Sequence, residues 1–84
     1  MKTSAVQDRA AGGRERRKVT LEDGSLATTS VELKQPHDGR AVWAYLRWFA
    51  NGKTTNRYIG RVRGSTREEL LQDGFRLARE KGLL

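Results

Sequence analysis

Aromatic, basic and amide side chains alternate along one short stretch of the chain, residues 40–62, which reads RAVWAYLRWFANGKTTNRYIGRV. This stretch holds both tryptophans, both tyrosines and one of the two phenylalanines. Arginine can bind guanine with two hydrogen bonds and asparagine can bind adenine, while aromatic rings pack on sugars, thymine methyl groups or unpaired bases. These residue types are therefore typical of a surface that binds nucleic acid.

The dipeptide Asn51-Gly52 lies inside this stretch and predicts a β-hairpin, because both central residues of a type I′ turn need positive φ. With this loop, Ala50 pairs with Lys53, and the alternation of side chains assigns every residue to a face. One face is expected to pair Trp48 with Thr55, Leu46 with Arg57, Ala44 with Ile59 and Val42 with Arg61. The other is expected to pair Phe49 with Thr54, Arg47 with Asn56, Tyr45 with Tyr58 and Trp43 with Gly60.

The face that holds Val42, Ala44, Leu46 and Trp48 is the more apolar one, and we assign it to the core. Arg57 would extend its aliphatic part along this surface with its charge in water. A bulge at Gly60 would let the next apolar residue, Val62, turn inward. The opposite assignment stays open, because large aromatic residues also dominate small cores. Four basic residues surround the hairpin and are candidates for holding phosphates. They are Lys53, Arg57, Arg61 and Arg63.

The composition favours a polyanionic partner. The chain has 84 residues, a net charge of +7 and a pI near 10.6, which indicates one small basic domain and favours nucleic acid. It has no cysteine, so disulfides and thiolate metal sites are excluded and a reducing compartment is expected. We find neither a bilayer-spanning apolar run nor the apolar block of a signal peptide. The expected location is cytoplasmic, nucleoid-associated if the partner is DNA, with no membrane partner.

Catalytic chemistry has little support in the sequence. The single histidine, His37, lies in the loop QPHDG, where a turn residue is far commoner than a general base. There is no glycine-rich phosphate loop and no cluster with metal-ligand spacing. We predict a binding module without enzymatic activity, metal or cofactor.

Residues 1–18 are predicted to be a basic flexible tail, with the single domain spanning residues 19–84. The segment carries more than half of the excess positive charge and almost no large apolar side chain, and Gly12-Gly13 would stop any short helix. Such an arm would follow phosphates or reach a minor groove; the alternative is a solvated tail or a cloning remnant. The candidate contacts are Arg14, Arg16, Arg17 and Lys18.

The remaining elements predict an α+β fold, a three-stranded antiparallel β-sheet packed on one C-terminal α-helix. Residues 19–26, with a turn at Asp23-Gly24, are expected to form a short strand or a lead-in. Residues 28–34 alternate like a half-buried strand that ends at Pro36, with a turn at Asp38-Gly39. Thr66 and Glu69 form a capping box for a helix whose apolar stripe includes Gly74, and Gly82 ends it.

This order of elements, with the runs VWAYLR, NRYIGRV and TREEL, resembles the AP2/ERF-type DNA-binding domain. It is also similar to the N-terminal arm-binding domain of phage and transposon tyrosine recombinases and to small mobile-element proteins. The resemblance covers residues 28–84. It implies that the sheet face opposite the helix enters the major groove of duplex DNA. By position, the contacts would be Trp43, Tyr45, Arg47, Asn56 and Tyr58.

The sequence therefore predicts a duplex-DNA-binding protein, such as a small transcription regulator or a recombination accessory factor. A protein-binding adaptor or inhibitor that uses the same aromatic and arginine face stays open. So does a single-stranded nucleic-acid binder, in which the aromatic rings stack on bases. A further alternative is a homodimer that buries this face against a second copy.

Overall fold

The computed structural model describes residues 2–35 and 39–84 and shows an α+β fold. The strands β3, β4 and β5 form an antiparallel sheet in that order, and β1 and β2 form a separate two-stranded ribbon. The elements are α1 (Lys2–Ala11), a 3₁₀ helix (Arg14–Arg17), β1 (Lys18–Thr20), β2 (Leu26–Thr28), β3 (Ser30–Lys34), β4 (Val42–Ala50), β5 (Lys53–Val62) and α2 (Arg67–Glu80). The predicted fold class, three-stranded sheet and C-terminal helix are confirmed.

The turn between β4 and β5 has the predicted type. Asn51 and Gly52 have φ values of 53° and 78°, as the two central residues of a type I′ turn require. Ala50 pairs with Lys53, and the predicted register holds along the hairpin as far as the pair of Tyr45 and Tyr58. The local turn signal thus determines which side chains share a face over most of the hairpin.

A β-bulge follows this last pair and shifts the register by one residue. Ile59 is the extra residue in β5, so Gly60 lies opposite Ala44. Gly60 has a φ of 149°, in the region that favours glycine. The predicted pairs beyond the bulge are therefore wrong: Ala44 with Ile59, Trp43 with Gly60 and Val42 with Arg61.

The bulge exchanges the faces of the last residues of β5. Arg61 lies opposite Trp43, and Val62 lies opposite Val42. Val62 is buried at 3% exposure, so the predicted inward turn of this residue is confirmed. Arg61 consequently leaves the core side of the sheet and joins the opposite face.

The core lies between α2 and the face of the sheet that was assigned to it. Phe75 and Leu71 of α2 and Leu46 of β4 are all fully buried. Phe49 and Tyr58 are 67% and 52% exposed, so the alternative core built on the aromatic face is wrong. The buried apolar residues of the core are Ala10, Ala11, Val31, Ala44, Leu46, Ile59, Val62, Leu71, Phe75 and Ala78.

Both ends of α2 follow the predicted capping pattern. The Thr66 hydroxyl accepts a hydrogen bond from the Glu69 amide at 3.1 Å, and the Glu69 carboxylate accepts one from the Ser65 amide at 2.6 Å. At the other end, the amide of Leu83 donates to the carbonyl of Ala78 at 2.8 Å. This 6→1 bond is part of a Schellman motif, and it folds the last residues back toward the core.

The N-terminal segment differs from the predicted disordered tail. Residues 2–11 form α1, which packs against α2 and buries Ala10 and Ala11. The side-chain amide of Gln7 donates to the carbonyl of Val31 at 3.0 Å and accepts from its amide at 2.9 Å. Gln7 therefore continues the hydrogen-bond ladder at the free edge of β3, which gives this polar segment a fixed position.

The segments between the 3₁₀ helix and β4 agree with the predictions only in part. Residues 18–28 form a hairpin, in which the Gly24 amide donates to the carbonyl of Leu21 at 2.9 Å. Of the strand predicted over residues 28–34, residues 30–34 form β3, whereas Thr28 is the last residue of β2. The predicted strand end at Pro36, the loop residue His37 and Asp38 of the predicted Asp38-Gly39 turn lie outside the described residues.

Gly74→Ala is expected to lower the free energy of unfolding by about 1 kcal/mol, although alanine is the better helix former. A Cβ at Gly74 would lie 2.8 Å from Cγ1 of Val31, so α2 would have to move away from β3. Urea unfolding followed by circular dichroism measures the change. Gln72→Ala, on the exposed side of the same helix, is the control. A stabilised Gly74→Ala variant would contradict the close helix–sheet contact.

Candidate nucleic-acid interface

The sheet has one face that α2 does not cover, and we call it the outer face. Directly paired residues share a face, so the pairing of the three strands defines its members. These are Ser30, Glu32 and Lys34 of β3, Trp43, Tyr45, Arg47 and Phe49 of β4, and Thr54, Asn56, Tyr58 and Arg61 of β5. The five contact residues expected from the sequence are thus brought together on one surface.

Three aromatic rings of the outer face pack against one another. Tyr58 lies at the centre, with its ring centroid 5.4 Å from that of Tyr45 in an edge-to-face arrangement and 6.4 Å from that of Trp43. Trp43 and Tyr45 are half-buried, whereas Tyr58 is exposed. Mutual packing restricts the rotamers of these rings, so the cluster presents a preformed surface that loses little entropy on binding.

Two lysines that were absent from the predicted site flank this cluster. Lys34 Nζ lies 5.0 Å from the ring centroid of Tyr45, and Lys81 Nζ lies 5.9 Å from that of Tyr58. Lys81 comes from the end of α2, on the other side of the sheet, and its ammonium donates to the carbonyl of Ile59 at the bulge. A Cβ on Gly60 would lie 3.1 Å from this ammonium, so the glycine leaves room for the lysine to cross the edge of β5.

Arg47 and Asn56 lie directly opposite each other in the middle of the hairpin. The side chain of Arg47 is 52% exposed and contacts the carboxylate of Glu32 at 3.4 Å. Glu32 also lies 4.0 Å from the ammonium of Lys34. The alternation of residues 28–34 places Glu32 and Lys34 outward, but the predicted binding surface contains the hairpin alone. The pairing of β3 with β4 adds them to the site.

The predicted phosphate contacts divide between the two sides of the sheet. Arg61 lies on the outer face because of the bulge. Lys53 and Arg57 lie opposite Ala50 and Leu46 on the other side, where the side chains of β5 extend past the core. They line a cleft of about 490 Å³ next to the β1–β2 turn. Arg63 follows the end of β5 and is exposed. One flat surface cannot contact all four.

The basic residues of the N-terminal segment make contacts within the fold. The guanidinium of Arg17 is buried and donates to the Asp8 carboxylate and to the Thr29 carbonyl. Arg17 is therefore unavailable to a phosphate, contrary to the prediction. The other three side chains that were predicted to contact phosphates donate hydrogen bonds to nearby oxygen atoms. Arg14 donates to Ser4, Arg16 to the carbonyl of Ala11 and Lys18 to Thr28.

Arg16 also belongs to a second region of positive charge, next to the last turn of α2. Burial lowers the pKa of Arg79 below its usual value, and the charge of Arg16 lowers it further. An arginine keeps its proton even so. This region lies on the helical layer, separate from the outer face.

The described residues contain no group of three or more His, Cys, Asp or Glu side chains that is placed to hold a metal ion. None of the described helices is long and apolar enough to cross a membrane. The fold and the outer face therefore define a small α+β domain whose main surface feature is basic and aromatic. No protein-family model matches the chain, and no curated protein or solved structure is significantly similar to it. The resemblance to AP2/ERF-type and arm-binding domains stays a prediction.

Proposed function

We propose that this protein binds duplex DNA with its outer face and acts as a small regulator or recombination accessory factor. The observation that carries the proposal is the arrangement around Arg47 and Asn56. These two base-reading side chain types lie side by side on an exposed sheet face, next to a packed aromatic cluster. Arginine suits guanine and asparagine suits adenine in the major groove.

The shape of the sheet supports docking in a groove. β3 pairs only with residues 43–47 of β4, so beyond Arg47 the sheet is two strands wide. Strands lie about 4.8 Å apart, and the major groove, about 12 Å wide, admits a two-stranded ribbon. The hairpin would enter the groove with Arg47 and Asn56 toward the bases, where the sheet begins to narrow.

The basic side chains around this pair would contact the DNA backbone. Lys34 lies on the β3 side, whereas Arg61 and Lys81 lie on the β5 side. Cations on both sides of a base-reading ribbon suit the two phosphate strands that border a groove. In this arrangement Trp43, Tyr45 and Tyr58 support the ribbon and pack on sugars or thymine methyl groups.

A gel-shift titration of a 20-bp mixed-sequence duplex at 50 and 200 mM salt tests the proposal. With three phosphate contacts, a plot of log K against log salt concentration should have a slope of about −2.7. Affinity should therefore fall roughly 40-fold over this range. Affinity with that salt dependence is the expected result. No shifted band at 50 mM salt, with protein up to about 10 μM, would overturn the proposal, since non-specific affinity is commonly stronger than this at low salt.

A single-stranded ligand is the second candidate, and the exposure of Phe49 and Tyr58 favours it. Both rings offer open surface to an unpaired base, and such stacking contributes about 1–3 kcal/mol per base. Competition of the bound duplex with a single strand of the same sequence separates the two ligands. Displacement by the single strand at lower concentration than by the duplex would favour this candidate.

A further inference from the structure

Glu32 is the only carboxylate that the described residues of β3, β4 and β5 place on the outer face. The rest of this face is basic, aromatic or polar and uncharged. A carboxylate at such a position repels the DNA backbone and lowers affinity for any sequence. A surface that served only to hold phosphates would be better without it.

Stability does not explain this carboxylate. The side chain of Glu32 is 37% exposed and that of Arg47 is 52% exposed. Ion pairs in contact with water contribute little to the free energy of unfolding, with a median contribution of about 0–1 kcal/mol. Its position on the outer face, beside Arg47, would bring it close to any ligand bound there.

We propose that Glu32 is a specificity-determining residue that, together with Arg47, selects a G·C base pair. The inference rests on the proposed binding of duplex DNA. Glu32 lies opposite Tyr45, next to Arg47 on the neighbouring strand, and its carboxylate contacts the Arg47 guanidinium at 3.4 Å. Arg47 itself pairs with Ser30, so Glu32 and Arg47 are diagonal neighbours that present acceptors and donors beside each other.

This order of donors and acceptors matches the major-groove edge of a G·C pair. Guanine offers the acceptors O6 and N7, which suit the guanidinium, and cytosine offers the N4 amino group, which suits a carboxylate. An A·T pair in the same place would turn the O4 acceptor of thymine toward the carboxylate and the N6 amino group of adenine toward the guanidinium. Glu32 also keeps the Arg47 guanidinium from binding a phosphate, because a carboxylate already occupies part of its donor surface.

Selection from a randomised 20-bp duplex library tests the inference, with wild type and Glu32→Gln compared at one salt concentration. Wild type is expected to recover a motif with a G·C pair that is preferred over A·T about 10-fold or more. In Glu32→Gln this preference should fall below about 3-fold at that pair while the other positions of the motif keep theirs. Affinity for a mixed-sequence duplex should rise, with a salt slope steeper by about 0.9 because Arg47 gains a phosphate.

Glu80→Gln is the matched control. It removes the same charge from a carboxylate that pairs with an arginine, Arg76, on the exposed side of α2. This variant should recover the wild-type motif. Circular dichroism verifies that both variants fold, as expected for surface positions.

The possible failures are distinguishable. If wild type binds no member of the library, the proposed function fails. If wild type selects a motif and Glu32→Gln selects the same motif with the same preferences, DNA binding stands and the role of Glu32 is overturned. A uniform change of affinity in Glu32→Gln that Glu80→Gln reproduces would also overturn it, because net charge alone would then explain the effect.

Discussion

Arg17→Met is expected to lower the free energy of unfolding by about 3 kcal/mol, the largest loss among the single substitutions described. The side chain of Arg17 is 5% exposed. Its guanidinium donates hydrogen bonds to Asp8, Ser4, Thr29 and Ser30. Methionine fills similar space but leaves the Asp8 carboxylate and the Thr29 carbonyl without their donor. Loss of one partner from a buried charged network commonly costs about 3–5 kcal/mol, and Asp8, 30% exposed, recovers part of this from water. Urea unfolding measures the difference.

Arg14→Met provides the matched control, since it removes the same charge three residues away. Arg14 is exposed, and its one described contact is a long hydrogen bond of 3.5 Å to Ser4. Its effect should stay within about 0.5 kcal/mol. Equal, small effects of both substitutions would contradict the structure, because they would mean that Arg17 points into solvent, as a disordered tail predicts.

This difference between expectation and structure has a physical origin. The composition of residues 1–18 indicates a solvated arm because buried arginines are rare. What fixes the segment is contact with residues far along the chain: Gln7 with Val31, 24 positions away, and Arg17 with Thr29, 12 positions away. No local pattern reports such pairings. By contrast, the hairpin turn and the ends of α2 depend on a few neighbouring residues, and Asn51-Gly52, Thr66 and Gly82 take the predicted positions.

On the outer face, too, features set by neighbouring residues are predicted correctly, and features set by distant contacts are not. Alternation from a known turn predicts that Trp43, Tyr45 and Arg47 share a surface with Asn56 and Tyr58, and the structure agrees. The prediction from alternation fails at the bulge. One extra residue in β5 shifts the pairing there, so every later side chain of β5 lies on the face opposite to the predicted one. Arg61 is therefore placed wrongly by a strict register, although Gly60 marks the position. Lys81 reaches the face from α2, so no strand pattern includes it.

The double substitution Arg47→Glu and Arg61→Glu is expected to weaken duplex binding by at least about 100-fold at 50 mM salt. Each arginine would lose a contact with a base or a phosphate, and each new carboxylate would repel the backbone. One such contact contributes about 1–3 kcal/mol, so the loss of two accounts for the factor of 100. A gel-shift titration of the mixed-sequence duplex measures the change, and both positions are exposed, so the fold should persist.

Lys53→Glu combined with Arg57→Glu makes the same change of charge in the same hairpin, but on the side that faces the β1–β2 turn. If the outer face holds the DNA, this variant should lose less than about 10-fold, because its contribution comes only through long-range charge. Equal losses in both variants would show that binding follows net charge rather than one face. Retained binding in the outer-face variant would contradict the docking that we propose. The pair of variants therefore tests which surface of the hairpin holds the duplex.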